Sequence, residues 1–447
     1  MSNSQDFRER LAAFLLLLFA FAAWYRTGLA NVALGTLGLL FILDLPRNWQ
    51  RLLRDPALWL IGGGALVVTL LAWRAATLFP ELAAEQWESL SGWLRPLLFI
   101  LVAWWLRGDP HLARWMLAAA LVGLVMGILH RAEVEDLEAI VGLFRGNFGI
   151  SARGDFGFTG LGLAFLSSVA LLGLVSFDQE IKRISLMGLS LPGFGWGLWI
   201  LAVVFFLIIL LVTQARGATL GLALLIMLLI IHRMAGRIRA ASLWKGKKLG
   251  IYFLTGLLVI SLASALFWIS IDRTARDFTT LVHPESQANY SYDSSTGTRL
   301  NLYRIGIALI NERPLLGWGP GTSATRDLVP SRVLDFSTSD LEGAPAWAHL
   351  HSVPIEILVR FGLIGGILGL IIIALLVQSY RVMRRCVFDP PLYLFLVLGG
   401  LMSVFFSVYD FRLIRIDFGF FFILFFGILY SFRFRPPPAG DEVIGQA

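Results

Sequence analysis

The sequence predicts an all-α polytopic integral membrane protein with about twelve transmembrane helices. Of 447 residues, 57% are hydrophobic and 15% charged, and the mean hydropathy is +0.74. A soluble core of this length has no use for so much apolar surface. The apolar residues run continuously, as in Leu11–Trp24, Ala57–Trp73, Gly250–Ile269 and Leu363–Val377. Such runs approach or reach the ~20 residues that a helix needs to cross ~30 Å of hydrocarbon. Strands of a membrane β-barrel alternate instead, which excludes that architecture. The ionisable residues collect between the runs, above all in the polar stretch Asp272–Ser352.

Taken in order, the spans centre near residues 17, 36, 66, 99, 121, 166, 203, 225, 260, 367, 399 and 424. Arg8 and Arg10 precede the first, and no small-residue cleavage site follows it, so it reads as a retained helix rather than a signal peptide. Every second connection is basic: Arg47, Arg51 and Arg54; Arg107 and Arg114; Lys182 and Arg183; Arg233 through Lys248; Arg381, Arg384 and Arg385. The positive-inside rule makes these connections and both termini cytoplasmic. Trp73–Trp93, His130–Asp155, the turn around Arg216 and the loop Asp272–Ser352 then share the opposite face. The chain divides into residues 1–271 with nine helices, a large loop over 272–352, three helices over 353–435, and a tail, 436–447, that the Pro436-Pro437-Pro438 run marks as disordered. The surplus of seven positive charges serves orientation in such a protein, not nucleic acid. A single cysteine, Cys386, excludes an intrachain disulfide and any multi-cysteine metal site.

Several outer residues have chemical potential. Arg216, in Thr213-Gln214-Ala215-Arg216-Gly217-Ala218, has almost no loop through which to escape two apolar helices. An unpaired arginine there costs up to ~3 kcal/mol, so it either snorkels to the headgroups or meets a carboxylate or phosphate. Arg145 and Arg153 flank a glycine-rich segment, 146–152, suited to an anion or to an ordinary solvated loop in which Arg153 pairs with Asp155. Thr298–Asn311 reads as a short amphipathic helix closed by Pro314, with Arg299 and Tyr303 four apart on one face. Gly317-Trp318-Gly319-Pro320-Gly321 lacks the strand and helix of a nucleotide-binding loop and reads as a tight turn. His349 and His351 stand just before Ser352-Val353-Pro354, a capped helix start. Either histidine can cap or take a proton. No third or fourth ligand lies at metal spacing from them, which disfavours a metal site. Glu356 and Arg360, four apart, read as a structural ion pair.

These segments carry a resemblance. His349-Leu350-His351-Ser352-Val353-Pro354-Ile355-Glu356 followed by Phe361-Gly362-Leu363-Ile364-Gly365 resembles the signature of the bacterial superfamily of O-antigen ligases, O-antigen polymerases and protein O-oligosaccharyltransferases. Gly297-Thr298-Arg299, Tyr303 and Pro314 through Gly321 are similar to its arginine helix and glycine turn, and Thr213–Ala218 to its second arginine motif. Ser352 stands where many members have asparagine, and Pro354 is unusual.

The resemblance implies a GT-C-like glycosyltransferase architecture in a bacterial inner membrane, with the site facing the periplasm and no cofactor. It implies a glycan donor on undecaprenyl pyrophosphate and, for a ligase, a lipid A-core acceptor. His351, with His349 as second choice, is then the catalytic base, and Arg216, Arg299, Arg153, Arg145 and Tyr303 form the pyrophosphate-binding set. Twelve spans and a single large loop look most like a ligase. A polymerase or protein-modifying relative is the alternative within the superfamily, and a flippase for lipid-linked sugars the alternative outside it. A flippase needs charges along a path through several helices. Here the spans are nearly free of them, and the polar groups gather on one side.

Overall fold

The computed structural model describes residues 2–145, 154–184, 193–239, 295–323, 349–386 and 389–435. Its helices are α1 (Ser2–Tyr25), α2 (Thr27–Leu53), α3 (Pro56–Leu78), α4 (Ala83–Leu94), α5 (Phe99–Leu106), α6 (Pro110–Arg131), α7 (Val134–Phe144), α8 (Gly160–Ser176), α9 (Asp178–Ile181), α10 (Phe194–Val212), α11 (Arg216–Arg239), α12 (Ser295–Glu312), α13 (Val353–Cys386), α14 (Pro390–Tyr409) and α15 (Ile416–Ser431). Among the described residues, eight helical stretches are long and apolar enough to cross a membrane, and Gly160–Ser176 and Arg216–Ile231 are shorter apolar helices. The span expected near residue 260, most of the loop 272–352 and the tail lie outside the described residues. Each of the other eleven expected centres falls inside a helix.

Local sequence sets the helix ends. Asp55-Pro56, Asp109-Pro110 and Asp389-Pro390 each put a carboxylate at the N-cap and proline at the first helical position. The aspartates accept from the amides of Ala57, of His111 and Leu112, and of Leu392. Proline has no amide to leave unsatisfied there, so the pair starts a helix sharply.

The core is aromatic and close-packed. Phe165 of α8 meets Phe406 of α14 and Phe418 and Phe421 of α15, with ring centroids 4.8–5.2 Å apart. On α6, Gly123 and Gly127 lie against α1, where an added Cβ would come within 1.8 Å of the Phe21 carbonyl oxygen and 2.3 Å of that of Trp24. Small residues four apart let two backbones approach, and dispersion then replaces the hydrophobic drive that lipid does not supply.

The polar contacts sort to the two ends of the bundle. At one end, Arg107 pairs with Glu9, Arg114 with Asp389 and Glu180, and Tyr430 donates to Asp55. At the other end lie the starts of α8, α11, α13 and α15 and the end of α14.

A helix break shapes this second end. Within α13, Gly362 has φ 60° and ψ −156°, so the α-helical ladder stops and restarts. The glycine turn fills the gap: Trp318 and Gly319 amides donate to the carbonyls of Val359 and Arg360 at 2.9 Å, while Leu363 and Ile364 amides donate to those of Pro314 and Leu315. An added Cβ on Gly317 would sit 2.5 Å from the Arg360 carbonyl carbon, and one on Gly362 would sit 2.4 Å from that of Leu315. With φ near +60° as well, both positions require glycine. The expected tight turn is therefore present, and it is also a plug for a broken helix.

Candidate active site

The site is built where α13 begins and α14 ends. His351 precedes α13, and its Nδ1 lies 2.9 Å from Asp410 Oδ1, just past the last residue of α14. Asp410 is 1% exposed, and its second oxygen accepts from Arg412 Nε at 2.8 Å. Arg412 in turn reaches the Thr159 hydroxyl before α8 and stands 3.8 Å from Asp417 in α15. Burial alone would raise the Asp410 pKa, but the His351 hydrogen bond and the Arg412 charge outweigh it and hold the carboxyl below its ordinary value. Asp410 is therefore an ionised acceptor at neutral pH. An ionised carboxylate only accepts, so Nδ1 of a neutral His351 carries the proton and Nε2 keeps the lone pair.

His351 has φ +51°, a left-handed conformation. Such backbone costs on the order of 1–3 kcal/mol and persists where the surroundings dictate it. Here the expected Glu356–Arg360 pair does the dictating. Both are buried, at 0% and 1% exposure, with a 2.7 Å ion pair. Glu356 also accepts the Leu350 amide at 2.7 Å, and Arg360 donates to the Gly321 carbonyl. One ion pair thus ties the histidine segment to the glycine turn. From the other side Gln86 accepts the Gly321 amide, Glu85 accepts from Thr322 and Ser323, and Trp93 donates to the Pro320 carbonyl.

His349 packs edge-on against His351, with centroids 4.5 Å apart, and near Phe411. Its buried Nδ1 has no hydrogen-bond partner among the described residues. Burial and the neighbouring His351 push its pKa below the ordinary value. His349 is therefore neutral at pH 7.

The amphipathic helix forms as expected, three residues longer at its start and one at its end. Both singled-out residues meet the site: the Arg299 guanidinium stands 5.8 Å over the Tyr409 ring, and the Tyr303 hydroxyl approaches the carbonyls of His351 and Val408 at 3.4 and 3.3 Å. Burial and then Asp410 raise the Tyr303 pKa against the opposing pull of Arg299, which keeps the phenol a donor. Arg216 opens α11, and Gly217 beside it leaves room for the Tyr409 ring, which an added Cβ would meet at 2.6 Å. The Tyr409 hydroxyl is buried without a hydrogen-bond partner among the described residues. Tyr409 is the hub that brings the Arg216 turn and the Arg299 helix to the His351 dyad.

Not every expected residue joins. Arg145 ends α7 exposed, and it makes no ion pair or side-chain hydrogen bond among the described residues. Arg153 lies outside them. The sequence reading missed Asp410, Arg412 and Tyr409 altogether. Their signal is the run Tyr409-Asp410-Phe411-Arg412, with Arg415 and Asp417 beyond it: many charges in a short connection between two apolar helices.

Fold and site together define a polytopic membrane protein with a histidine–carboxylate dyad and arginines gathered at one end of its helix bundle. Residues 201–371 are similar to the family model described as O-antigen ligase. The matched stretch contains Arg216, Arg299, Tyr303, His349 and His351, and it ends before Asp410. No curated protein matches the chain.

Proposed function

We propose that the protein is an inverting, metal-independent O-antigen ligase, which moves a glycan from undecaprenyl pyrophosphate to a sugar hydroxyl of lipid A-core at the periplasmic face of the bacterial inner membrane. The His351–Asp410 dyad, with Arg299 over the ring of Tyr409 next to Asp410 in the chain, is the observation that carries this reading. Nε2 of His351 takes the proton of the acceptor hydroxyl as its oxygen attacks the anomeric carbon. The bond from that carbon to the pyrophosphate oxygen breaks on the opposite face, so configuration inverts. Asp410 stabilises the imidazolium that forms, and the proton then passes to solvent. Departing pyrophosphate gathers negative charge, which Arg299 and Arg216 offset with planar, bidentate donors. Arg153 and Arg145 remain candidates for the donor's outer phosphate, and Tyr303 for orienting either substrate. The unpartnered Tyr409 hydroxyl and His349 Nδ1 beside His351 are groups that substrate oxygens would satisfy.

The test is purified protein with undecaprenyl-pyrophosphate glycan and lipid A-core, with chelator present throughout. Wild type should form glycosylated lipid A-core, whereas His351→Ala and Arg299→Ala should form none while remaining inserted and monodisperse. Wild-type-level transfer by His351→Ala would overturn its role as base. Arg216→Lys separates shape from charge, and full activity would argue against a bidentate phosphate contact there. Longer lipid-linked glycans from donor alone would make the protein a polymerase, and glycosylated polypeptide a protein-modifying relative.

A further inference from the structure

At the same end of the bundle a cleft of roughly 590 Å³ is lined by Tyr25, Arg26, Thr27, Gly28, Leu29, His130 and Arg131. Its chemistry is cationic. The Arg26 guanidinium lies over the Tyr25 ring at 5.6 Å and that of Arg131 over Phe158 at 4.4 Å, while His130 meets Tyr25 edge-on. Neither arginine pairs with a carboxylate among the described residues, and the two repel each other. The residues that complete the lining, Thr27–Leu29, are the first turn of α2, whose N-cap Arg26 supplies no side-chain hydrogen bond. Their outward amides add positive potential to a cleft that already holds two guanidinium groups.

Each arginine alone has an ordinary explanation. Arg131 complements the C-terminal end of α6, and Arg26 reaches towards headgroups from a helix junction. Their convergence does not. Two like charges and a positive helix end are drawn into one cleft, held there by aromatic rings, with no carboxylate paired to them among the described residues. A tetrahedral oxyanion with several acceptor oxygens relieves that repulsion and fits the planar forks.

We propose that this cleft binds a phosphate carried on a lipid headgroup, and that under the transfer reading this lipid is the acceptor. Position favours the acceptor. Phe158, under Arg131, adjoins Thr159, which accepts from Arg412, and Arg412 holds the Asp410 that orients His351. A lipid anchored at Arg26 and Arg131 would extend its sugars along Thr159 and Arg412 towards the base. An acceptor that bears phosphate on its lipid end and sugars beyond it has that order of groups.

Binding is read without donor, so its failure is distinct from failure of the transfer reading. Full-length protein in phosphatidylcholine nanodiscs is offered phosphorylated lipid A-core, its dephosphorylated form, or phosphatidylglycerol, and retained lipid is counted by native mass spectrometry. Wild type should retain the phosphorylated acceptor about tenfold or more over the dephosphorylated one. The double variant Arg26→Gln, Arg131→Gln should lose that preference, and Arg26→Lys, Arg131→Lys should keep most of it, which separates lost charge from lost folding. Equal retention of both acceptor forms by wild type, or an unchanged preference in the glutamine variant, would overturn the site. Phosphatidylglycerol retained as well as the phosphorylated acceptor would support a phosphate site and assign it to bilayer phospholipid instead.

Discussion

At the scale of single residues the decisive contact is His351 to Asp410. Asp410→Asn keeps shape and volume, but its carboxamide no longer stabilises an imidazolium or fixes the ring tautomer. Transfer should fall by about 10²–10⁴-fold while the protein stays folded, checked as kcat in the reconstituted assay. Because Asp410 is held below its ordinary value of 3.8, it stays ionised from pH 5 to 8, and its protonation should not limit the rate over that range. His349 gives a separate prediction. Its folded-state pKa is depressed, so below its ordinary value of 6.5 the unfolded chain binds more protons than the folded one. Stability should therefore drop as pH falls through 6.5 towards the folded value, and His349→Gln should flatten that part of a melting-temperature profile. The histidines were legible because they stand in a polar stretch at a capped helix start. Asp410 was not, because it is 59 residues away from His351 and only the packing of α13 on α14 makes them partners.

At the scale of elements, the broken α13 and the turn that plugs it form one unit. Gly362→Ala puts a methyl group against the Leu315 carbonyl at a φ that alanine avoids, so it should cost about 2 kcal/mol or more. Since the plug carries the Gly321 carbonyl that Arg360 holds, activity should fall with stability, seen as a lower melting temperature and reduced transfer in the same variant. The sequence showed each half of this device, a glycine turn and a glycine within an apolar run. It did not show the exchange of backbone hydrogen bonds between them, because the residues that pair across it are tens of positions apart. The arginine helix was different. Its apolar spacing and Pro314 are local signals, and the observed α12 follows them to within three residues.

At the scale of the whole molecule, the bundle depends on backbones that approach closely. Gly123→Leu forces a side chain into the Phe21 carbonyl and must separate α6 from α1. The expected outcome is loss of monodisperse protein in detergent, read by size-exclusion chromatography, whereas leucine at Gly62, which faces open space, should be tolerated. Separation of polar chemistry from basic loops is legible in the sequence, because hydropathy and charge alternate along the chain. The structure gathers the residues of the proposed outer face at one end of the bundle and ties the basic connections at the other.

By itself the sequence determined what short-range physics writes: continuous apolar runs that must be helices in lipid, aspartate–proline helix starts, an amphipathic helix with Arg299 and Tyr303 on one face, and histidines at a helix N-terminus. Those signals need no knowledge of distant residues. Only the tertiary structure decided which groups act together, because the partners come from helices far apart in the chain. It gave His351 its carboxylate, placed Tyr409 between Arg299 and the Arg216 turn, and made the expected ion pair of Glu356 and Arg360 the anchor of the site.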